Sequence, residues 1–183
     1  MTLREFVRHV MHRAGVLDAL RQLRSGPVKR GEGATLEERF TYIYDKGVWQ
    51  SMPDAPLSGA GSHPAVAGRL GLQLPEVVRE LGVHTFLDVG CGDFSWMRDV
   101  DLGCQYIGVD IVADVIARNS AEHGNANRSF AVLNAVAETL PHSDMVLCRE
   151  VLFHLSFADA KSVIRNVVRS GARWLLLTSD DVT

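Results

Sequence analysis

From residue 84 onward, short apolar runs alternate with segments of helical periodicity. The apolar runs predict strands at residues 85–89, 105–109, 129–133, 145–149 and 174–178. Helices are predicted between them, at residues 94–100, 113–122 and 157–170. Because strands that alternate with helices form a mainly parallel sheet covered on both faces, the pattern predicts a three-layer α/β sandwich.

The segment ahead of this α/β pattern is predicted to begin with helices. Residues 1–24 carry apolar side chains at helical spacing, with arginines largely on other faces, which predicts one or two amphipathic helices. Residues 25–34 are rich in glycine and charge and predict a linker. We therefore divide the chain into a helical arm with its linker, residues 1–34, and a core, residues 35–183. The basic arm is compatible with an anionic membrane, but we expect it to pack on its own domain or a partner.

The core is predicted to open with two helices. Thr35 and Glu38 have the spacing of a capping box, which predicts a helix from Thr35 through Tyr44. Residues 53–64, which contain three prolines, predict a loop. A second helix, residues 64–81, is expected to lead into the first strand.

Composition narrows the class of protein. A chain of 183 residues with 46% hydrophobic residues fits one domain with a substantial core. A net charge of -3 gives no reason to expect nucleic acid as a partner. The three cysteines are widely spaced, so we expect neither a disulfide nor a zinc site. Without a signal peptide or an apolar stretch of roughly 20 residues, the sequence favours a cytoplasmic location.

The chemistry is concentrated after the first strand, in the string TFLDVGCGDFSWM. The strand ends in Asp88 and passes into Gly90, Cys91, Gly92 and Asp93. Glycine permits unusual backbone angles and lets a ligand approach the main chain closely. The N-terminus of the helix predicted to follow would offer free amides to a polar or anionic group. We therefore expect a cofactor to bind at this turn.

A second acid lies where a ribose would be bound. Asp110 ends the second strand, 18 positions after Gly92. At that place a carboxylate accepts hydrogen bonds from ribose hydroxyls, so the strand, turn and acid together predict a nucleoside site. The dinucleotide fingerprint requires a further glycine where this chain has Ser95, and the match to nicotinamide enzymes is therefore incomplete.

These residues resemble the first motif of the class I, Rossmann-like, S-adenosylmethionine-dependent methyltransferases, which has an acid followed by G-x-G, as in Asp88, Gly90 and Gly92. The resemblance extends over most of residues 86–178, although Phe94 stands where the family often has a third glycine. It implies S-adenosylmethionine (SAM) as cofactor and a sheet of order 3-2-1-4-5 with further strands beyond the fifth. It also places Asp110 at the ribose and Asn134 with Ala135 at the adenine, and it makes Ile111 a further candidate cofactor-binding residue.

The exit of the fourth strand, DMVLCREVLFHLSF, resembles the motif beside the methionine end of the cofactor. Its polar residues are Arg149, Glu150 and His154. Open α/β sheets bind ligands at this edge, so Arg149 is a candidate cofactor ligand. Glu150 and His154 are candidate catalytic bases for a hydroxyl or amine acceptor, although a histidine at the start of a helix more often has a structural role.

The upstream stretch IYDKGVWQSMPDAPLSGAGSHP resembles one found ahead of the first motif in a subgroup of bacterial class I methyltransferases. Its candidate cofactor-binding residues are Trp49, Ser58, Gly59, Gly61 and Ser62. A serine- and glycine-rich loop offers hydroxyls and amides to a carboxylate, and a tryptophan can close over a pocket. A surface loop with a buried tryptophan anchor explains the same residues equally well.

The sequence thus predicts methyl transfer from SAM to a small-molecule acceptor, without a metal. A binding module on the same core, without enzymatic activity, and a nicotinamide-dependent oxidoreductase are the alternatives. The readable pattern ends at the fifth strand, whose WLLL run would form an open sheet edge. We expect either a longer chain or a homo-oligomer to cover that edge.

Overall fold

The computed structural model describes residues 34–50 and 55–178, so the predicted helical arm lies outside the described residues. The described core has four α-helices: α1 (Leu36–Asp45), α2 (Pro64–Glu80), α3 (Ala113–His123) and α4 (Phe157–Arg169). Its strands are β1 (Thr85–Val89), β2 (Gln105–Asp110), β3 (Arg128–Val132), β4 (Met145–Cys148) and β5 (Trp174–Leu177). None of the helices in the described ranges is long and apolar enough to cross a membrane.

The five strands form one parallel sheet in the order β3-β2-β1-β4-β5. This confirms the predicted fold class and strand order, and each strand ends within one residue of its predicted boundary. The chain reverses its direction of winding between β1 and β4, which is where open α/β sheets form a crevice at the carboxyl ends of their strands. The acid at the end of β2, the glycine turn after β1 and the exit of β4 therefore meet at one edge.

Two apolar clusters cover the sheet and make it the middle layer of a sandwich. One cluster joins Leu74 and Val78 of α2 to Phe86 and Met145 of the central strands. The other joins α4, through residues such as Val163, to the opposite face of β1 and β4. Because both faces of β1 are covered, residues 86–89 are all buried, and burial does not alternate along the strand.

The N-terminal end of the described core is fixed by the predicted capping box. The backbone amide of Glu38 donates to the Thr35 hydroxyl (3.2 Å), and the Glu38 carboxylate accepts from the Thr35 amide (2.7 Å). These bonds satisfy amides that the first turn leaves free. Helix α1 then places Phe40 and Tyr44 beside the carboxyl edge of the sheet, against Val112.

The helix predicted at residues 94–100 is absent, and the chain forms irregular turns there. Phe94 has φ +58°, a left-handed conformation that no residue within a right-handed helix can adopt. Its ring is 1% exposed and packs against the rings of Tyr106 (5.2 Å) and Phe130 (5.0 Å). This burial offsets a backbone cost of about 1–3 kcal/mol. Consequently no helix begins at the glycine turn.

Candidate cofactor-binding site

A pocket of about 880 Å³, counted with the solvent in its mouth, lies at the carboxyl ends of β1, β2 and β4. Residues from α1, the loop before α2, the glycine turn and the exit of β4 line it. The sequence-predicted residues that line it are Trp49, Ser58, Ser62, Asp88, Gly90, Cys91, Gly92, Asp110, Ile111, Asn134, Ala135, Arg149, Glu150 and His154. The other three, Gly59, Gly61 and Asp93, do not line it.

The glycine turn requires both of its glycines. Gly90 (φ +74°) and Gly92 (φ +57°) are left-handed. A Cβ atom on Gly90 would lie 2.4 Å from Cγ2 of Val151, and one on Gly92 would lie 2.2 Å from Oγ of Ser58. The side chains of Val151 and Ser58 therefore lie against the bare backbone of these glycines, and both form part of the pocket wall.

The amides of this turn are all engaged, contrary to the sequence-based expectation of free donors. The amides of Gly90 (2.8 Å) and Cys91 (3.1 Å) both donate to the carbonyl of Val109. The amide of Gly92 donates to Oδ2 of Asp110 (3.1 Å), and that of Asp93 donates to Oγ of Ser58 (2.7 Å). The amide of Phe94 donates to the carbonyl of Cys91 (3.4 Å). That expectation assumed a helix directly after the turn, and none is present. The amides of residues 90–94 are therefore not free to bind an anionic ligand in the pocket.

The carboxylate of Asp110 joins the end of β2 to the glycine turn. Oδ2 accepts from the amide of Gly92 and Oδ1 from the amide of Val112, both at 3.1 Å. The side chain is almost fully buried, and burial raises its pKa while these amide donors oppose the rise. Each carboxylate oxygen retains a second acceptor position, so Asp110 can still bind two hydroxyls from the pocket.

Asp88 supplies a second buried carboxylate. It is 3% exposed, and Oδ2 accepts a hydrogen bond from the Tyr106 hydroxyl (2.7 Å). Burial raises the pKa of Asp88 to about 7, although the Tyr106 hydrogen bond and the charge of Arg149 lower it in part. Near neutral pH the group is therefore divided between its neutral and ionised forms, and a cation in the pocket would favour the ionised form.

Arg149 is the only lysine or arginine among the described residues that line the pocket. Its guanidinium lies over the ring of Trp96, 5.1 Å from the centroid, and donates to the carbonyl of Gly61. These contacts hold the planar group in one orientation. The predicted residue Gly61 thus positions Arg149 through its backbone and does not reach the pocket itself.

Glu150 follows directly and has a left-handed backbone, with φ +57°. Its amide donates to the Thr178 hydroxyl at the end of β5 (2.8 Å). A Cβ atom on Gly61 would lie 3.0 Å from Oε2 of Glu150, so the carboxylate rests on the bare backbone of that glycine. Strained residues cluster at functional sites, which makes Glu150 a functional candidate on geometric grounds as well.

His154 and Trp49 form a stacked pair at the pocket wall, with ring centroids 4.5 Å apart and planes at 28°. Trp49 also meets the rings of Phe40 and Tyr44 edge-on, both at 6.0 Å. Burial lowers the pKa of His154 to about 4. The imidazole is therefore neutral at physiological pH and a weak base.

The loop before α2 is fastened to the glycine turn by a reciprocal pair of hydrogen bonds. The amide of Ser58 donates to Oδ2 of Asp93 (3.1 Å), and the amide of Asp93 donates to Oγ of Ser58 (2.7 Å). The hydroxyl of Tyr44 is hydrogen-bonded to the same Oγ at 2.9 Å. The carboxylate of Asp93 thus holds the loop, and Tyr44 is a pocket residue that sequence reasoning missed. The Tyr44 hydroxyl oxygen would lie 2.9 Å from a Cβ atom on Gly92, and no local sequence pattern predicts this approach of the helix to the glycine turn.

Asn134 and Ala135 lie in the pocket wall after β3. The side-chain oxygen of Asn134 accepts from the amide of Val136 (3.0 Å), and its backbone amide donates to Glu138 (2.6 Å). The side chain of Asn166, on α4, donates to the carbonyl of Ala135 (2.9 Å). These bonds fix the turn that follows β3.

The described residues form a Rossmann-like α/β domain with a pocket at the carboxyl edge of its sheet, which is where open α/β sheets bind ligands. Residues 87–174 match a family model described as a methyltransferase domain. The matched segment is thus similar to a methyltransferase domain, in agreement with the resemblance of the motif at Asp88, Gly90 and Gly92. No curated protein matches the sequence significantly.

Solved structures with the same fold include three with TM-scores of 0.50 or more. The N-methyltransferase NodS from Bradyrhizobium japonicum WM9, in complex with S-adenosyl-L-homocysteine, is 18% identical, with TM-score 0.54 over 74% of this chain and 68% of NodS. A DhpI-SAM-HEP complex is 18% identical, with TM-score 0.53 over 78% of this chain and 63% of DhpI. The PH0226 protein from Pyrococcus horikoshii OT3 is 21% identical, with TM-score 0.50 over 66% of this chain and 58% of that protein.

Proposed function

We propose that this chain transfers a methyl group from SAM to a small-molecule acceptor, with SAM bound at the carboxyl edge of the sheet. The observation that carries the proposal is the carboxylate of Asp110, which is held by the Gly92 amide at the pocket wall. The pocket charges support the choice of cofactor. Three carboxylates and one guanidinium line it, and SAM brings a sulfonium, an ammonium and one carboxylate.

Each part of the cofactor has a candidate partner. Asp110 and Ile111 would bind the ribose, and Asn134 and Ala135 the adenine. The amino-acid end would lie between Asp88, which faces the ammonium, and Arg149, which faces the carboxylate. The remaining lining residues proposed to contact the cofactor are Trp49, Ser58, Ser62, Gly90, Cys91 and Gly92. Gly59, Gly61 and Asp93 would support the site without contacting the cofactor.

When bound, SAM supplies an electrophilic methyl group on a sulfonium whose thioether leaves readily. The work left to the chain is therefore orientation and exclusion of water. Arg149 is held in one orientation by Trp96 and Gly61, and Asp110 by two amides. Glu150 and His154 would face the acceptor from the exit of β4.

Ligand-dependent unfolding tests this function against its alternatives. At a concentration of about 100 times the dissociation constant, SAM or S-adenosylhomocysteine (SAH) should stabilise the fold by about 2.7 kcal/mol. For a chain of this size, the melting temperature should then rise by roughly 5–10 °C. NAD at the same concentration should leave the melting temperature unchanged. A response to NAD alone would favour an oxidoreductase, and no response to any of the three would favour a binding module without activity.

We also propose that two copies of the chain associate through β5, in the cytoplasm. Within the described ranges, β5 pairs only with β4, and all four of its residues are partly exposed. An exposed apolar edge strand pairs readily with another chain. Sedimentation velocity should therefore show a dimer whose fraction rises with concentration, and a monomer over the whole accessible range would rule out this association.

A further inference from the structure

The carboxylate of Glu150 is the pocket charge that the proposed cofactor leaves unused. This inference rests on the proposed function, in which Asp110 serves the ribose while Asp88 and Arg149 serve the amino-acid end. None of the described residues donates a hydrogen bond to the carboxylate of Glu150, although the charge of Arg149 acts on it. A carboxylate without a donor at a pocket wall is available to accept a hydrogen bond from a group on the second substrate.

The backbone around Glu150 is built to keep this carboxylate in place. The residue holds a left-handed conformation, and the Thr178 hydroxyl accepts its amide at 2.8 Å. The neighbouring Arg149 binds the carbonyl of Gly61, whose missing side chain leaves room for the Glu150 carboxylate. Thr178 and Gly61, which are distant from Glu150 in sequence, thus position its backbone and its carboxylate.

With Asp88 assigned to the ammonium of the cofactor, the other described residues that line the pocket include no strong base for a substrate that must lose a proton before it attacks. Burial lowers the pKa of His154 to about 4, and burial raises the pKa of the Tyr44 phenol. No lysine lines the pocket in the described ranges. A carboxylate is itself a weak base towards a hydroxyl, whose pKa is many units higher. These surroundings favour an acceptor atom that is nucleophilic without prior deprotonation.

The charges that line the pocket favour some nucleophiles over others among those that need no prior deprotonation. Thiolates and carboxylates attack readily but are anionic, and they would meet the charges of Asp88, Asp110 and Glu150. A neutral amine carries no such penalty and becomes cationic as it reacts. We propose that the methyl acceptor is a neutral amine and that Glu150 faces the nitrogen on which the positive charge arrives.

The charges balance through this step. The amine lone pair forms the N–C bond to the methyl carbon, and the C–S bond breaks with its electron pair moving to sulfur. The sulfonium becomes a neutral thioether, and the nitrogen becomes an ammonium. The Glu150 carboxylate stabilises that ammonium as it forms, and one proton then leaves the product through Glu150 to water.

A pair of cofactor analogues tests this placement without knowledge of the acceptor. SAH is neutral at the transfer position, whereas sinefungin carries a primary ammonium there. By isothermal titration calorimetry at pH 7.5, the wild-type chain should bind sinefungin about tenfold more tightly than SAH, because the ammonium would pair with Glu150. Glu150→Gln should abolish most of this preference while changing the affinity for SAH by less than about threefold.

Three further variants complete the test. Glu80→Gln, on the exposed end of α2, should retain the wild-type preference. Thr178→Val removes the acceptor for the Glu150 amide and should reduce the preference, whereas Thr178→Ser should retain it. An unchanged preference in Glu150→Gln, or equal affinities in the wild type, would overturn the amine assignment alone. Failure of the wild-type chain to bind either analogue would overturn the proposed function as well.

Discussion

Replacement of Asp110 by alanine should raise the dissociation constants for SAM and SAH by about a hundredfold or more. The proposed site uses this carboxylate to accept both ribose hydroxyls, and hydrogen bonds to a charged group contribute about 1.5–3 kcal/mol each. Alanine would also free the amides of Gly92 and Val112, which Asp110 holds at 3.1 Å, and so loosen the turn. Isothermal titration calorimetry with each ligand measures the change directly.

Asp114→Ala is the matched control for this experiment. Asp114 lies in the first turn of α3, is exposed and does not line the pocket. Its replacement removes a carboxylate four positions away without touching the site, so both ligands should bind as they do to the wild type. If Asp110→Ala bound SAM as tightly as the wild type does, the ribose assignment would be wrong.

The affinity for SAM should rise about tenfold between pH 5.5 and pH 7.5, and Asp88→Asn should remove most of this dependence. Burial raises the pKa of Asp88 to about 7, so at pH 5.5 the group is almost entirely neutral. The proposed ammonium partner favours the ionised form, and binding must therefore displace a proton whenever the pH lies below about 7. His154, with its pKa lowered to about 4, stays neutral throughout this range.

Calorimetry in buffers of different ionisation enthalpy would measure the proton released on binding. Asp88→Asn is the control for this measurement of proton release. In the variant, Tyr106 can still donate to the side-chain oxygen, but no carboxyl proton remains to be released. A wild-type affinity that is flat over this pH range would show that the ammonium does not meet Asp88.

The raised pKa of Asp88 also affects the stability of the unliganded fold, which should fall as the pH rises, whereas the affinity for SAM should increase. Between the ordinary Asp pKa of 3.8 and about 7, the folded chain holds a proton on Asp88 that the unfolded chain has lost. The folded state is thus favoured at the acidic end of this window, and the contribution of Asp88 to stability is lost as the pH rises towards 7. In Asp88→Asn this contribution to the pH dependence should be absent from urea unfolding curves.

Sequence reasoning failed where the structure depends on contacts between distant segments. The segment after the glycine turn was predicted as a helix because it connects two strands of the α/β pattern, but Phe94 has a left-handed backbone conformation and its ring packs against those of Tyr106 and Phe130. The free amides expected at the turn followed from that helix and are absent for the same reason. Asp93 was grouped with the cofactor ligands because of its position in the motif, but its carboxylate accepts a hydrogen bond from the amide of Ser58.

The sequence by itself determined the parallel sheet, the boundaries of its strands and the approach of Asp88, Gly92 and Asp110, because apolar periodicity and the βα connection dictate where each strand ends. The family resemblance added the strand order. Only the tertiary structure decided the surroundings of those residues: Tyr44 over the glycine turn, Trp49 against His154, and Glu150 held by Thr178 and Gly61. Each of these contacts joins segments far apart in the chain, and the pKa values in the pocket follow from the resulting burial. Local sequence patterns therefore predict neither these contacts nor these pKa values.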